Sequence, residues 1–191
     1  DCLKILALQQ PVARDLRFVV AILKMNEALE RMGDLAVSIA KKSIFLLRHR
    51  RFNLLDEISV MASEAQQMVK NAIDALVTGD TGLAMRVCQQ DDVIDEIRKA
   101  MNSKVFSEIR DNPDDLEGLM AVYSIIRHIE RLGDMATVIA QDVIYMIDGN
   151  IIRHGHHLKP SNLPNSKVSY LGNSPATTDS GDQPWYKIVG K

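Results

Sequence analysis

The sequence predicts an all-α protein, and three observations support that prediction. Aromatic residues make up 5% of the 191 residues. Glycine and proline are sparse between residues 12 and 148, where only Pro113 and five glycines occur. Over the same stretch, apolar residues recur at the spacing of one helical face. Few turn residues and a helical period are typical of long helices and not of a sheet.

The first long helix is predicted to run from Pro11 to about Leu47, because proline suits the first turn of a helix. The basic stretch Arg48-His49-Arg50-Arg51 follows it. A second helix then carries the apolar stripe from Ile58 to Leu76. We expect it to end at Thr78-Gly79-Asp80, because glycine commonly ends a helix and aspartate commonly caps the next one.

Two more helices follow. The third carries apolar residues from Leu83 to Ile109 and ends at Asp111-Asn112-Pro113. The last spans about 114 to 148, with Asp114 or Asp115 available to cap its start. The chain therefore resolves into four long helices before residue 149.

The composition changes after Gly149. Residues 150–191 contain four of the six prolines and no methionine, which is typical of a flexible tail. The tail has a net charge of +3, so residues 1–149 carry −5. Its one cohesive apolar patch, Trp185-Tyr186-Lys187-Ile188-Val189, either docks on the body or a partner or stays mobile.

Charge and cysteine content exclude several classes of protein. A net charge of −2 and a pI near 6.2 give no bulk basic surface for nucleic acid. The only cysteines, Cys2 and Cys88, fit a reducing compartment and exclude a disulfide framework or a Cys-based zinc site. No apolar run approaches about 18 residues and no signal peptide is evident, so a cytoplasmic location is expected. The chain opens without Met, in mid-pattern, as a fragment would.

An internal repeat appears when the chain is shifted by 100 residues. The segment Glu-Arg-Met-Gly-Asp at 30–34 then superimposes on Glu-Arg-Leu-Gly-Asp at 130–134, with no gap over some 26 positions. We therefore expect two tandem three-helix bundles. Residues 1–52 are the remainder of a first bundle truncated at its N-terminus, residues 53–149 are a complete second bundle, and residues 150–191 are an irregular tail.

Acidic pairs at i and i+4 are the main candidate site, because such pairs project from one helix face. Like charges at this spacing call for a nearby cation, which Arg31, Arg131 or a metal ion could supply. If the third and fourth helices pack antiparallel, two pairs can converge as an all-oxygen cage suited to iron, manganese or magnesium. The alternative is an ordinary solvated helix face. The candidate metal ligands are Glu30, Asp34, Asp91, Asp95, Glu130 and Asp134.

The histidines offer a second candidate cluster. His154, His156 and His157 could be ligands, but they follow a helix C-terminus, where histidine also serves capping and dipole roles. His49 and His128 are interpreted as surface residues. The sequence contains no Walker A loop, His-Glu-x-x-His, Cys-x-x-Cys or Gly-x-Ser-x-Gly motif, so no active site is evident.

Three segments together resemble the PhoU family: Leu-Gln-Gln-Pro-Val-Ala-Arg-Asp-Leu-Arg at 8–17, Leu-Glu-Arg-Met-Gly-Asp at 29–34 and Ile-Glu-Arg-Leu-Gly-Asp at 129–134. The resemblance covers about residues 1–157. It implies a non-enzymatic bacterial or archaeal regulator built from two three-helix bundles. Such a regulator restrains phosphate uptake and the phosphate-starvation two-component response.

The resemblance also implies partners and a cofactor. The partners are the membrane sensor histidine kinase and the ATPase subunit of the phosphate transporter, with a homodimer also allowed, so the protein would be peripheral to the membrane. The three acidic pairs would hold divalent or trivalent metal, iron first, with manganese, magnesium or zinc as alternatives. The counterpart of Asp91/Asp95 in the first repeat falls about ten positions before residue 1, so the site at Glu30/Asp34 is expected to be incomplete.

Two alternatives remain open at the sequence level. A di-metal carboxylate enzyme would use Glu-x-x-His twice, and this motif does not occur in the sequence. A metal-free structural interaction module would carry the same carboxylates as ordinary surface. Bound metal separates these alternatives, because a structural module should be equally stable in chelator.

Overall fold

A computed structural model describes residues 2–48 and 54–149 of the chain. The chain divides into two units, residues 1–155 and 156–191, and every described residue belongs to the first. The predictions for the 150–191 tail, its Trp185 patch, His49 and the histidine cluster fall outside the described residues. The boundaries proposed between the two bundles and the tail stay predictions.

Five α-helices form the described part of the chain. They are α1 (Cys2–Gln9), α2 (Ala13–Leu46), α3 (Leu55–Thr78), α4 (Thr81–Asp111) and α5 (Leu116–Asp148), with a 3-10 turn at Pro113–Asp115. These ranges contain no β-strand, so the all-α prediction is confirmed. None of these helices is long and apolar enough to cross a membrane.

Glycine and aspartate end and start the helices where the sequence predicted. Gly79 and Gly149 follow α3 and α5 with φ of 69° and 73°, the left-handed conformation that glycine adopts without steric cost. The Asp80 carboxylate caps α4 by accepting a hydrogen bond from the Leu83 backbone N–H at 2.9 Å. These residues therefore set the turn between α3 and α4 and the C-terminal end of α5.

One local prediction was wrong, and a second was confirmed only in its position. Pro11 does not lie in the first turn of a helix but in the break between α1 and α2, because the residue before a proline is disfavoured in the helical conformation. Gln10 and Ala13 flank this break with positive φ, at 44° and 48°. Asp115 occupies the cap position of α5 without a capping hydrogen bond, since its ψ of 13° is not the extended backbone that capping uses.

Helix α5 is the centre of the structure. It packs against α2, α3 and α4, and α3 also packs against α4. Most of its inward face is fully buried, including Leu119, Val122 and Ile126. Helices α3, α4 and α5 therefore form the predicted second three-helix bundle, and α2 packs onto α5.

Helix α2 runs antiparallel to α5. Lys24, early in α2, bonds Asp142, late in α5, with Nζ and Oδ1 3.4 Å apart. Lys42, late in α2, lines one groove with Glu117 at the start of α5. Residues of the two repeats thus meet across the contact between α2 and α5, which we call the seam.

The two repeats differ in how much of their last helix is covered. Ile129 and Ile144 of α5 are each 2% exposed, whereas their equivalents Leu29 and Ile44 of α2 are 43% and 60% exposed. Among the described elements, α2 contacts only α1 and α5. The α2 face that corresponds to the packed face of α5 is therefore open in this chain.

Candidate carboxylate site

The carboxylates of the second repeat lie on two packed helices. Asp91 and Asp95 are on α4, and Glu130 and Asp134 are on α5. The Glu130 side chain is more enclosed than that of Asp95: it is 19% exposed, against 44% for Asp95. Helices α4 and α5 pack against each other, so the prediction that the helices carrying these pairs pack together is confirmed.

Gly133 is what lets α4 approach α5 at this point. A Cβ added to Gly133 would lie 3.1 Å from Cδ1 of Ile94, which is tighter than ordinary van der Waals contact. Its equivalent Gly33 on α2 has nothing within 4 Å of that position. The glycine of the second repeat thus allows close helix packing, whereas Gly33 faces open space.

Arg98 of α4 lies between the acidic residues of the two helices. Its Nε is 3.0 Å from Oε1 of Glu130, and its Nη2 is 3.4 Å from Oδ1 of Asp95. The Arg98 side chain is 25% exposed, so water screens its charge only partly. Arg98 therefore supplies a nearby cation, the role that the sequence predicted for Arg131 or a metal ion.

The charge balance at Glu130 follows from burial and its neighbours. Burial raises the pKa of the Glu130 carboxyl, because the charged form loses solvation. The positive charge of Arg98 acts in the opposite direction, while Asp134 and Asp95 raise the pKa further. A protonated Glu130 would weaken its bond to Arg98, so the guanidinium is what favours the ionised form here.

The first repeat presents its acidic pair differently. Glu30 and Asp34 are both exposed on α2. The Asp34 backbone carbonyl accepts a hydrogen bond from Oγ of Ser38 at 2.9 Å. Arg31, which the sequence offered as a cation for this pair, instead bonds Glu27 with Nη2 2.5 Å from Oε1.

The oxygen donors of the second repeat suit a hard cation by chemistry. In residues 2–48 and 54–149, however, no three His, Cys, Asp or Glu side chains come close enough together to hold a metal ion. As the side chains are placed, they fit the Arg98 guanidinium and not a metal. Metal binding at the six acidic positions stays a prediction, and at Glu130 it would require Arg98 to leave.

Sequence reasoning missed Arg98, although a signal for it was present. Arg98 follows Asp95 by three positions, the spacing at which helix side chains meet, and follows Asp91 by seven, on the same face. The arginines inside the Glu-Arg-x-Gly-Asp motifs, Arg31 and Arg131, were the predicted cations instead. An i,i+3 pair facing a buried glutamate on the next helix becomes visible only once α4 and α5 are packed.

Comparison with known proteins gives a consistent result. The sequence model described as PhoU domain matches residues 1–43 and 58–143. The chain is 36% identical over 147 residues to phosphate-specific transport system accessory protein PhoU homolog 1 of Thermotoga maritima, covering 76% of this chain and 63% of that protein. It is 34% identical over 155 residues to the Pseudomonas aeruginosa homolog, covering 81% and 64%. The chain thus spans a little under two thirds of these relatives.

Solved structures agree with the sequence comparison. The crystal structure of PhoU from Pseudomonas aeruginosa matches with a TM-score of 0.76 and 33% identity, covering 78% of this chain and 72% of that one. The phosphate transport system regulatory protein PhoU from Streptococcus pneumoniae matches with a TM-score of 0.71 and 26% identity, covering 80% and 71%. With the repeated Glu-Arg-x-Gly-Asp motif on two packed helices, these matches show that the chain belongs to the PhoU family.

Proposed function

We propose that this chain is a regulatory adaptor of phosphate homeostasis that restrains phosphate uptake and the phosphate-starvation two-component response. The observation that carries the proposal is the similarity of more than three quarters of the chain to proteins named as accessory to a phosphate-specific transport system. The proposed partners are the sensor histidine kinase and the ATPase subunit of the transporter. The proposed place of action is the cytoplasmic side of the membrane.

The helices suit an adaptor because they offer long continuous surfaces. Helix α5 has 33 residues, which at about 1.5 Å per residue gives a length of roughly 50 Å. Contacts of Arg98 with Glu130 and of Lys104 with Glu57 link α4 to its neighbours α5 and α3. A linked bundle of this kind can present a fixed surface to a partner without performing chemistry on it, so we propose a role that is not enzymatic.

A metal-free adaptor is the second candidate, and Arg98 favours it. A guanidinium bonded to Glu130 and Asp95 already balances charge that a metal would otherwise balance. Elemental analysis of protein purified without chelator separates the two candidates. Stoichiometric iron, manganese, magnesium or zinc that is lost in a Glu130→Ala, Asp134→Ala variant supports the metal-bearing form. Metal-free protein with an unchanged melting temperature in chelator supports the metal-free form.

Binding to the proposed partners is the direct biochemical test. The purified chain is passed over immobilised ATPase subunit and, separately, over the immobilised cytoplasmic part of the kinase, with an unrelated helical bundle as control. We expect retention on at least one partner. Retention on neither, at protein concentrations where the Pseudomonas aeruginosa relative is retained, would contradict the proposal.

A further inference from the structure

The seam between α2 and α5 carries two grooves that the internal repeat relates to each other. One is lined by Lys24, Glu27 and Arg31 of α2 together with Gln141, Asp142 and Tyr145 of α5. The other has a volume of about 370 Å³ and is lined by Lys41, Lys42 and Phe45 of α2 together with Glu117, Met120 and Ala121 of α5. A shift of 100 residues carries Gln141, Asp142 and Tyr145 onto Lys41, Lys42 and Phe45.

In the first groove the charges cancel. The Lys24 ammonium bonds the Asp142 carboxylate across the seam, and the Arg31 guanidinium bonds Glu27 one helical turn away. Two cations therefore face two carboxylates. We call this the neutral groove.

In the second groove the acidic members of those pairs are replaced by cations. The position equivalent to Glu27 holds Arg127, and the position equivalent to Asp142 holds Lys42. Arg31 has its equivalent in Arg131, and Gln141 has its equivalent in Lys41. Four cations thus stand at positions that hold one cation and two carboxylates in the first groove. Lys41 and Lys42 line the second groove, with Glu117 as the one carboxylate in the lining. We call this the basic groove.

The four cations lie in one region of the seam. Burial lowers the pKa of His128, and the nearby positive charges of Lys42, Arg131 and Arg127 lower it further. The ring lies 3.4 Å from Oγ of Ser124, the equivalent of Lys24. Within the described residues, none of the four cations has a carboxylate within ion-pair distance. The basic groove is therefore a positively charged surface on residues 1–149, whose net charge is −5.

The lining also contributes apolar surface. Phe45, Met120 and Ala121 line the same groove as Lys41 and Lys42, and Met120 is 47% exposed. Apolar surface flanked by unneutralised cations is complementary to a segment that is apolar on one side and acidic on the other. We infer that the basic groove binds an acidic, amphipathic segment of a protein partner. In the proposed adaptor this segment belongs to the kinase or the ATPase subunit, so the identity of the partner rests on the proposed function.

The test uses the full chain and a defined probe. The probe is a fluorescent helical peptide of about 16 residues with Leu on one face and Glu on the other, and the comparison peptide has Gln in place of every Glu. The basic-groove variant is Lys42→Gln with Arg131→Gln. The matched control is Lys24→Gln with Arg31→Gln, which likewise removes one lysine and one arginine, here from the lining of the neutral groove. Thermal melts of both variants check that they fold.

We expect the acidic peptide to bind the parent chain and to bind the basic-groove variant about tenfold or more weakly, with the control within about twofold of the parent. Binding should weaken steeply from about 0.01 M to about 1 M salt, because the screening length falls from about 30 Å to about 3 Å. Equal affinities of the two variants, or equal binding of the Glu and Gln peptides, would overturn the inference. The binding test with the immobilised kinase and ATPase subunit does not use the peptide, so failure of the proposed function and failure of this inference are distinguishable.

Discussion

Arg98 makes the clearest single-residue contribution in the bundle, because it joins α4 to the enclosed Glu130 of α5. Replacing Arg98 with Met keeps much of its packing and leaves Glu130 in the interface without its cation. We expect the free energy of unfolding to fall by about 1–3 kcal/mol, the usual cost of an unsatisfied polar group at a buried position. Urea unfolding followed by circular dichroism measures this.

Lys99→Met is the matched control for Arg98→Met. Lys99 also pairs at i,i+3, with Glu96, but both side chains are more than half exposed. An exposed pair contributes little, so this change should alter stability far less than Arg98→Met does. If the two variants were destabilised equally, the link between α4 and α5 through Arg98 would not be a significant source of stability.

Cys88 is the residue whose reactivity the structure constrains. Burial, with the nearby Asp91 charge, raises the pKa of its thiol to about 11. Since the thiolate is the reactive form, alkylation of Cys88 in a Cys2→Ser variant should be slow near pH 8 and rise about tenfold per pH unit towards pH 11. Rates that match those of the urea-unfolded chain at pH 8 would contradict this. Because burial makes the Cys88 thiol harder to ionise in the folded chain than in the unfolded chain, the free energy of unfolding should decrease as the pH rises towards about 11.

At the level of the helices, two equivalent glycines are expected to respond differently to alanine. Alanine favours the helix at both positions, but a methyl group at Gly133 would lie 3.1 Å from Cδ1 of the buried Ile94 and force that side chain to shift. Gly33→Ala adds a methyl group in open space within α2 and should stabilise by up to about 1 kcal/mol. Gly133→Ala should therefore leave the chain less stable than Gly33→Ala does. Melting temperatures of the two variants test this, and a Gly133→Ala variant that melts at or above the temperature of the Gly33→Ala variant would contradict the packing described for α5.

Helices were easier to predict from the sequence than contacts between them. The ends of α3 and α5 followed from Gly79 and Gly149, because a left-handed glycine leaves a local signature. Pro11 was misplaced because the same residue suits a helix start and a break, and the backbone on both sides decides between them. The contact between Arg98 and Glu130 was not predicted, because the two residues are 32 positions apart and only the packing of α4 on α5 brings them together.

At the level of the whole molecule, the internal repeat explains both the fold and the charge pattern. The acidic Glu-Arg-x-Gly-Asp motif is kept in both copies, at 30–34 and 130–134, whereas the two grooves of the seam have diverged from balanced charge to basic charge. Duplicated surfaces that differ in charge can serve different partners, which suits a protein proposed to contact both a kinase and a transporter subunit.

Repression of the phosphate-starvation response is the most direct test of the proposed role. The chain is expressed in a bacterial strain that lacks its own PhoU protein and carries a reporter driven by a phosphate-starvation promoter. In phosphate-rich medium we expect the reporter to fall toward the level produced by the Pseudomonas aeruginosa relative. A reporter that stays fully active while the chain accumulates as folded protein would contradict the account.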